Sequence, residues 1–496
     1  MEALARPMTS APRVAIVGGG VTGLAAAFAL RRARPDVEVV VFEARDRLGG
    51  NIQTERQGNF VIDAGPDSFI RTKPEALVLC RELGIDSELL PTNDAARHVF
   101  VVHRGRLAEL PGGMALAVPT RIGPLWETPL LSAAGKLRLL AEPFVPKKAN
   151  DEDESIESFF TRRVGKEAAT RLAGPLLGGI YAGDVSRLGI RGTFPQLVAL
   201  EKTYGSLLRG FLAQELSQGG STKPPSAADV YRWLRRAGTA QAPSPFLSFK
   251  NGMGTLIDAL ERALPSDAVR AGAPVESVIP LAGGGFTVRS AGASLVADAV
   301  ILAAPAHASA RLVGDTELAR ELSAIPYVST ATVFFAVDKA AVAHDLRGFG
   351  FIVPPGEADV LAATWVSSKW EGRAPGGTAL IRAFVGGARD PSRVVRSSDD
   401  ELVELAKSEL ERVMGSLGAP LFTRVYRYVD ASPQPLVDHP ARVARIRQRA
   451  GAIPGLYIAG AAFEGVGIPD CIRQAKEAAA RVVSELVDGG PVRAAR

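Results

Sequence analysis

The chain has 496 residues, too many for one simple core, so two or three domains are expected. Hydrophobic residues make up 47% and charged residues 22%, the balance of a globular protein rather than a disordered one. The formal net charge of +5 is spread along the chain without a dense Lys/Arg run, and aromatics are only 6%, which argues against a nucleic-acid partner.

Val14 to Val17 is a short apolar run of buried-strand type. Gly18, Gly19, Gly20, Val21, Thr22 and Gly23 follow in G-x-G-x-x-G spacing, and Leu24 to Arg32 reads as a helix. Strand, glycine turn and helix together predict a dinucleotide site. Gly18 allows the tight turn, Gly20 the approach of a pyrophosphate, and Gly23 close packing of helix on strand. The helix N-terminus offers N–H groups and a positive dipole end to phosphate. A second strand, Val37 to Phe42, ends at Glu43 and Ala44, where the Glu43 carboxylate is placed to accept bonds from ribose hydroxyls. These features do not separate NAD from FAD.

The sequence then continues through Arg47, Gly49, Gly50 and Asn51, and through "FVIDAGPDSF" with Asp63, Ala64, Gly65 and Pro66. This "R-x-G-G" extension resembles the signature of the flavoproteins that include amine oxidases, phytoene desaturases and protoporphyrinogen oxidases. The resemblance implies FAD, with the Gly65–Pro66 turn passing near the flavin. At the far end, "GLYIAGAAFEGVGIPDCIRQAKEAAARVVSEL" reads as strand, glycine loop and helix. Its helix start would favour the negative charge of a reduced flavin. Gly460, Val466, Gly467 and Ile468 match the family's flavin-edge positions. Ala461 and Ala475 depart from the Asp/Asn and Gly common there. Val275, in "PVESV", matches a family valine whose backbone contacts adenine.

The fold class expected is α/β. A discontinuous Rossmann-like FAD domain would comprise 10–92, 245–310 and 430–490. A mixed-sheet substrate domain would comprise 93–114, 218–244 and 311–429, with strand-like runs from about Glu317. Residues 115–217 read as a mostly helical domain able to touch a membrane, in which Phe159, Phe160, Leu172, Leu176 and Leu177 are expected in the core. "SQGGSTKPPSAAD" and "AGTAQAPSP" read as mobile loops.

A closer resemblance, to oxygen-dependent protoporphyrinogen oxidases, runs over nearly the whole chain. It is carried by "LSAAGKLRLLAEPF", "LLGGIYAGDVSRLGIRGTFP", "GFGFIVP", "FVGGARDP" and "GVGIPDCI". It implies oxidation of a porphyrinogen to a porphyrin with oxygen as acceptor and hydrogen peroxide as product. Arg97 matches the arginine that holds a propionate, Ile352 and Val366 match residues that sandwich a pyrrole, and Gly179 matches a glycine whose carbonyl faces the substrate. Coproporphyrinogen remains the nearest alternative substrate. An amine oxidase, a carotene desaturase and a non-catalytic binder of prenylated proteins are more distant ones.

No metal site is read from the five histidines, and the two cysteines, Cys80 and Cys471, form neither a ligand spacing nor a disulfide framework. With no secretory stretch at the N-terminus and no bilayer-spanning apolar run, the expected location is the cytoplasm. A peripheral contact with the inner membrane and a homodimer stay open.

Overall fold

The computed structural model describes residues 11–116, 118–218, 224–236 and 244–487. They form a mixed α/β fold of two compact units. The first takes in the described residues up to Pro91, Pro245–Pro326 and those from Pro440, and the second takes in Thr92–Ser244 and Tyr327–His439.

The first unit is built on a five-stranded parallel sheet in the order Val269–Arg270, Glu38–Phe42, Arg13–Val17, Ala299–Leu302 and Leu456–Ile458. All four pairings are parallel. The central strands are apolar runs because both faces are covered; Val14, Ile16, Val41 and Ile301 have no solvent exposure. The first helix, Val21–Ala33, packs on the last, Ile468–Val487. Small residues line that contact, with Ala25, Ala26, Ala475 and Ala478 in one buried cluster. Alanine at 475 therefore fits this helix pair, where the resemblance implies glycine. A three-stranded antiparallel sheet, Val275–Pro280, Phe286–Ser290 and Ala293–Ala297, completes this part.

The second unit holds a seven-stranded sheet ordered Pro420–Pro433, Tyr327–Asp338, Thr378–Gly386, Ala362–Trp365, Gly350–Ile352, Val99–His103 and Arg106–Glu109. The helix Asp399–Met414 covers one face, burying Leu402, Ala406, Leu410 and Met414 against Val333, Phe335, Ile381 and Ala383. The helices between residues 122 and 218 belong to this same unit rather than to a third body. Phe159, Phe160, Leu172 and Leu177 are buried, as their spacing predicts, whereas Leu176 is only half-buried. Among the described residues no helix is long and apolar enough to cross a membrane.

Three local expectations change. The segment from Ala115 begins as a two-stranded hairpin, Met114–Ala115 with Val118–Pro119, before the first helix at Ile122. Residues Thr316–Ser323 are a helix of the first unit, not a strand of the second. Asp315 caps that helix by accepting from the Leu318 N–H at 2.7 Å, and Leu318 and Leu322, four apart, are both buried. Of the two expected mobile loops, residues 219–223 and 237–243 lie outside the described residues. Ser226 and Asp229 of the first form a capping box that starts the helix Ala227–Leu234.

A buried ion network ties the helices of the second unit together. Glu142 and Arg163 form a salt bridge with both side chains fully buried. The Glu142 carboxylate also accepts from the Ser206 hydroxyl and from the Leu207 N–H at 2.8 Å, so it seats the start of the helix Leu207–Gln218. Removing Glu142 leaves the buried Arg163 with only the longer contact to Glu201, at 3.4 Å and shared with Arg162, to balance its charge. Glu142→Ala is expected to lower stability by about 3–5 kcal/mol, read as a lower midpoint of denaturant unfolding with the flavin retained under native conditions.

Candidate active site

The turn between the first strand and helix separates glycines the fold needs from one it does not. Gly18 has φ +115°, and a Cβ there would lie 2.9 Å from the Ala303 carbonyl. A Cβ at Gly23 would lie 1.9 Å from the Gly18 carbonyl oxygen. Gly20 has an ordinary φ of −75°, and a Cβ there would meet nothing nearer than the Gly50 Cα at 3.9 Å. Nothing in the protein demands glycine at 20, so the space beside it is a cradle for a ligand. The helix that follows has no side-chain cap and no acid in its first turn. Its leading N–H groups therefore face the cradle with their positive dipole end.

Glu43, 9% exposed, holds the turn in shape. Its Oε2 accepts from the Gly19 N–H at 2.7 Å and its Oε1 from the Arg45 N–H at 2.9 Å. Each oxygen has a further lone pair for a ribose hydroxyl. The Gly19 carbonyl accepts from the Gly49 N–H at 2.8 Å, which pins the second glycine loop to the first. Gly49 and Gly50 have φ of +94° and +59°. Arg47 closes that loop on itself, donating to the Gly50 carbonyl at 2.8 Å and the Leu48 carbonyl at 3.2 Å. Ala44 and Asn51 are exposed beside it.

Asp63 is buried, and its Oδ1 accepts from the Thr54 hydroxyl at 2.6 Å and the Met253 N–H at 2.8 Å. It braces the Gly252 turn, φ +94°, that opens the helix Gly254–Arg262. That bracing role was not legible in the sequence, where Asp63 and Gly252 stand far apart. Ala64 and Gly65 are buried and Pro66 half-buried beside it. Val275 begins its strand two residues after Ala273, whose N–H donates to the Glu43 carbonyl at 2.8 Å.

The C-terminal motif completes the cradle. Gly460 has φ +141°, and its N–H donates to the Gln474 side chain at 3.3 Å. Val466 and Gly467 are half-buried and lead into Ile468, the first residue of the last helix. Gly465, φ +100°, and Gly467 let the loop fold over Asp470, which pairs with Lys73 at 2.6 Å. Burial pushes the Cys471 thiol up to about 11 despite its bond with Thr22, so it packs as an inert small side chain joining the two helix starts.

In the second unit, Arg97 ends the turn Asp94–Ala96, with its guanidinium 3.6 Å from Asp94. Asn93 ties this turn to the helix Val366–Lys369, donating to the Lys369 and Ser368 carbonyls at 3.0 and 3.2 Å. Val366 is buried, and Trp365 beside it is core, its indole N–H on the Met414 sulfur at 3.5 Å. The Gly179 carbonyl accepts from the Ala182 N–H at 3.3 Å at the end of the helix Gly174–Tyr181, and a Cβ at Gly179 would meet no atom within 4 Å.

Ile352 lies on the sheet face opposite the helix Asp399–Met414. It is level with Ala362, Phe384, Thr332 and Tyr426 across four strand pairings. The next row on that face is Gly350, Thr364, Arg382, Phe334 and Arg424. The Arg382 guanidinium lies 4.3 Å from the Phe384 ring and 5.3 Å from the Phe334 ring. Sequence reasoning passed over Arg382 and Arg424. The signal was the alternation in "ALIRAFVGG", which puts Arg382 on the side away from the apolar core.

The sequence model of the flavin containing amine oxidoreductase family matches residues 21–483. This chain belongs to that family. It is similar to the coproporphyrinogen III oxidase of Bacillus subtilis, 34% identical over 95% of this chain and 98% of that one. It is 33% identical to human protoporphyrinogen oxidase, over 95% and 98% of the two chains. A solved structure from Exiguobacterium sp. 255-15, assigned as a protoporphyrinogen oxidase, has a TM-score of 0.82 and 31% identity over 96% of this chain and 99% of that one. The protein is thus an FAD-dependent oxidoreductase. The residues present fit the cofactor: the open space at Gly20 and the first helix would take the diphosphate and the spare lone pairs of Glu43 a ribose, while Val275 and the loop Gly460 to Ile468 stand where the resemblance implies adenine and the ring system.

The two kinds of glycine predict different defects. Gly20→Ala should leave the melting temperature of the apoprotein almost unchanged and weaken FAD binding by at least about tenfold, since the added methyl meets ligand and not protein. Gly23→Ala should prevent folding of the unit altogether. Thermal melts of apoprotein and fluorescence titration with FAD separate the two.

Proposed function

We propose that this chain oxidises protoporphyrinogen IX to protoporphyrin IX in tetrapyrrole biosynthesis, with dioxygen as acceptor and hydrogen peroxide as product. Coproporphyrinogen III, oxidised to coproporphyrin III, is the second reading, favoured by relatives of that name at 34%, 32% and 34% identity. The observation that carries both is the sheet face bearing Ile352. It is broad, aromatic and apolar, with guanidinium groups set into it, which suits a large flat macrocycle with carboxylate arms.

When bound, FAD supplies a two-electron acceptor for the hydrogens lost from the macrocycle. The residues of the chain bind and orient the substrate. Arg97 pairs with a propionate, and a guanidinium fork holds a carboxylate in two bonds where an ammonium would hold a point charge. Ile352 packs against a pyrrole ring, whereas Val366, which the resemblance implies on the ring's other side, is buried and has no such part. The Gly179 carbonyl accepts from a pyrrole N–H with the lone pair left over from its helix bond. No side chain need act as a strong base, and the five histidines take no part in the proposal. A porphyrinogen loses six hydrogens, so each porphyrin formed consumes three dioxygen molecules and releases three of peroxide.

The same reading places the protein in the cytoplasm, touching the cytoplasmic face of the inner membrane. Trp126, Leu137 and Phe144 are each more than half exposed on successive short helices, and Lys136 lies 5.9 Å from the Trp126 ring. Apolar side chains with a cation beside them suit an anionic lipid surface.

Anaerobic mixing with each porphyrinogen should bleach the flavin absorbance. Aerobic turnover should give porphyrin fluorescence with peroxide in the stated ratio; bleaching by neither substrate sinks the proposal. Arg97→Ala should raise KM about tenfold or more, the loss expected for a charge-assisted bond, while the rate of flavin reduction at saturation changes little. Co-sedimentation with phosphatidylglycerol vesicles should fall on Leu137→Asp with Phe144→Asp; no binding by the unmodified protein removes the membrane contact.

A further inference from the structure

Resting on the second of those two readings, we propose that Arg389 is a second carboxylate anchor, at the opposite end of the Ile352 strand from Arg97, and that it selects a porphyrinogen with carboxylates on both edges, coproporphyrinogen over protoporphyrinogen.

Three segments meet at Arg389, all within the second unit. Its guanidinium donates to the Val353 carbonyl, directly after Ile352, and to the Val360 carbonyl at 3.4 Å. The preceding Ala388 N–H donates to the Ala182 carbonyl at 2.8 Å, just past the helix that carries Gly179. Gly387, φ +66°, makes this approach possible, because a Cβ there would lie 2.5 Å from the Ala182 oxygen. The turn thus holds the guanidinium at the end of the strand Gly350–Ile352 while its backbone rests on Ala182, just past the helix that carries Gly179.

Among the described residues, no carboxylate lies within ion-pair distance of Arg389. Its acidic neighbours are engaged elsewhere: Asp390 by Arg393 and Arg396 at 2.8 and 2.7 Å, and Asp359 by Arg393 at 3.7 Å. Arg389 is an exposed residue, yet protein atoms crowd its guanidinium, and burial lowers its pKa with no acid to offset the effect. A guanidinium has five donors, and two carbonyl contacts leave part of the fork for a ligand carboxylate.

Spacing decides which ligand. Arg97 lies two residues before Val99, which is level with Gly350, whereas Arg389 bonds at Val353. The Arg97 backbone and the Val353 carbonyl that holds the Arg389 guanidinium are thus about five residues apart along the strand direction, on the order of 15 Å. That is comparable with the reach from an arm on one pyrrole to the arm on the opposite one. Protoporphyrinogen carries its two propionates on adjacent pyrroles and can satisfy one cation only. Coproporphyrinogen carries one on every pyrrole and can satisfy both.

The test compares the FAD-loaded wild-type enzyme with Arg389→Gln and Arg389→Lys. KM is measured for both porphyrinogens, and binding of coproporphyrin and of mesoporphyrin, which has two propionates, is followed by quenching of tryptophan fluorescence. Arg389→Gln should raise the coproporphyrinogen KM and the coproporphyrin Kd about tenfold or more, and shift the protoporphyrinogen and mesoporphyrin values by less than about twofold. Arg389→Lys keeps the charge and should keep most of the preference. Equal shifts for both substrates, no shift in either, a folded Lys variant that loses the preference, or a wild-type enzyme that favours protoporphyrinogen would each overturn the role of Arg389. Oxidation of neither porphyrinogen by wild type defeats instead the proposed function.

Discussion

The cofactor cradle depends on one carboxylate. Glu43 stands at the end of the second parallel strand and accepts two backbone N–H bonds, one from the glycine turn and one from its own loop. A buried carboxylate is costly to desolvate unless its oxygens are bonded. Here those bonds fix the path of Gly19 and Arg45, and the Gly19 carbonyl in turn fixes Gly49. Two pieces of chain meet at this single charge, and the Gly49 loop is tied to them through the Gly19 carbonyl. The ribose site is what remains of the acceptor capacity of that carboxylate.

The second unit solves a different problem. It must hold guanidinium groups within an apolar sheet face whose centre, Thr332, Phe334 and Arg382, is buried. One face of its seven-stranded sheet is sealed by the helix Asp399–Met414. The other carries aromatic rings alternating with guanidinium groups. Guanidinium planes lie well on aromatic rings and still offer donors at their edges. Such a face can be packed and polar at once, a suitable surface for a macrocycle with an apolar ring and charged arms.

The helices of this unit are joined by charge as much as by apolar packing. Arg163 and Glu142 are fully buried together, and Glu201 draws in Arg162 at 2.5 Å. Such networks add less stability than apolar packing of the same volume would, but they punish misalignment, since a shifted helix strands a charge. The short helices around Trp126 and Phe144 can thereby expose apolar side chains while keeping a defined arrangement.

Much of the first unit was legible in the sequence. The "GGGVTG" turn, Glu43 and the "GVGIPD" loop are local patterns, and local backbone sterics dictate their shape; Gly18 and Gly23 are glycine because no Cβ fits. The helical reading of Phe159, Phe160 and Leu172 held for the same reason, since periodicity is a property of neighbours in sequence. The bracing of Gly252 by Asp63, the Arg382–Phe334–Arg424 row and the meeting of Arg389 with Val353 and Ala182 were not legible. Each joins residues far apart in the chain, and only strand register and loop packing decide which distant side chains share a face. The sequence alone determined where a dinucleotide could be held; the tertiary structure decided which cations could share the work of holding a substrate, because register, unlike a turn, is set by the whole sheet.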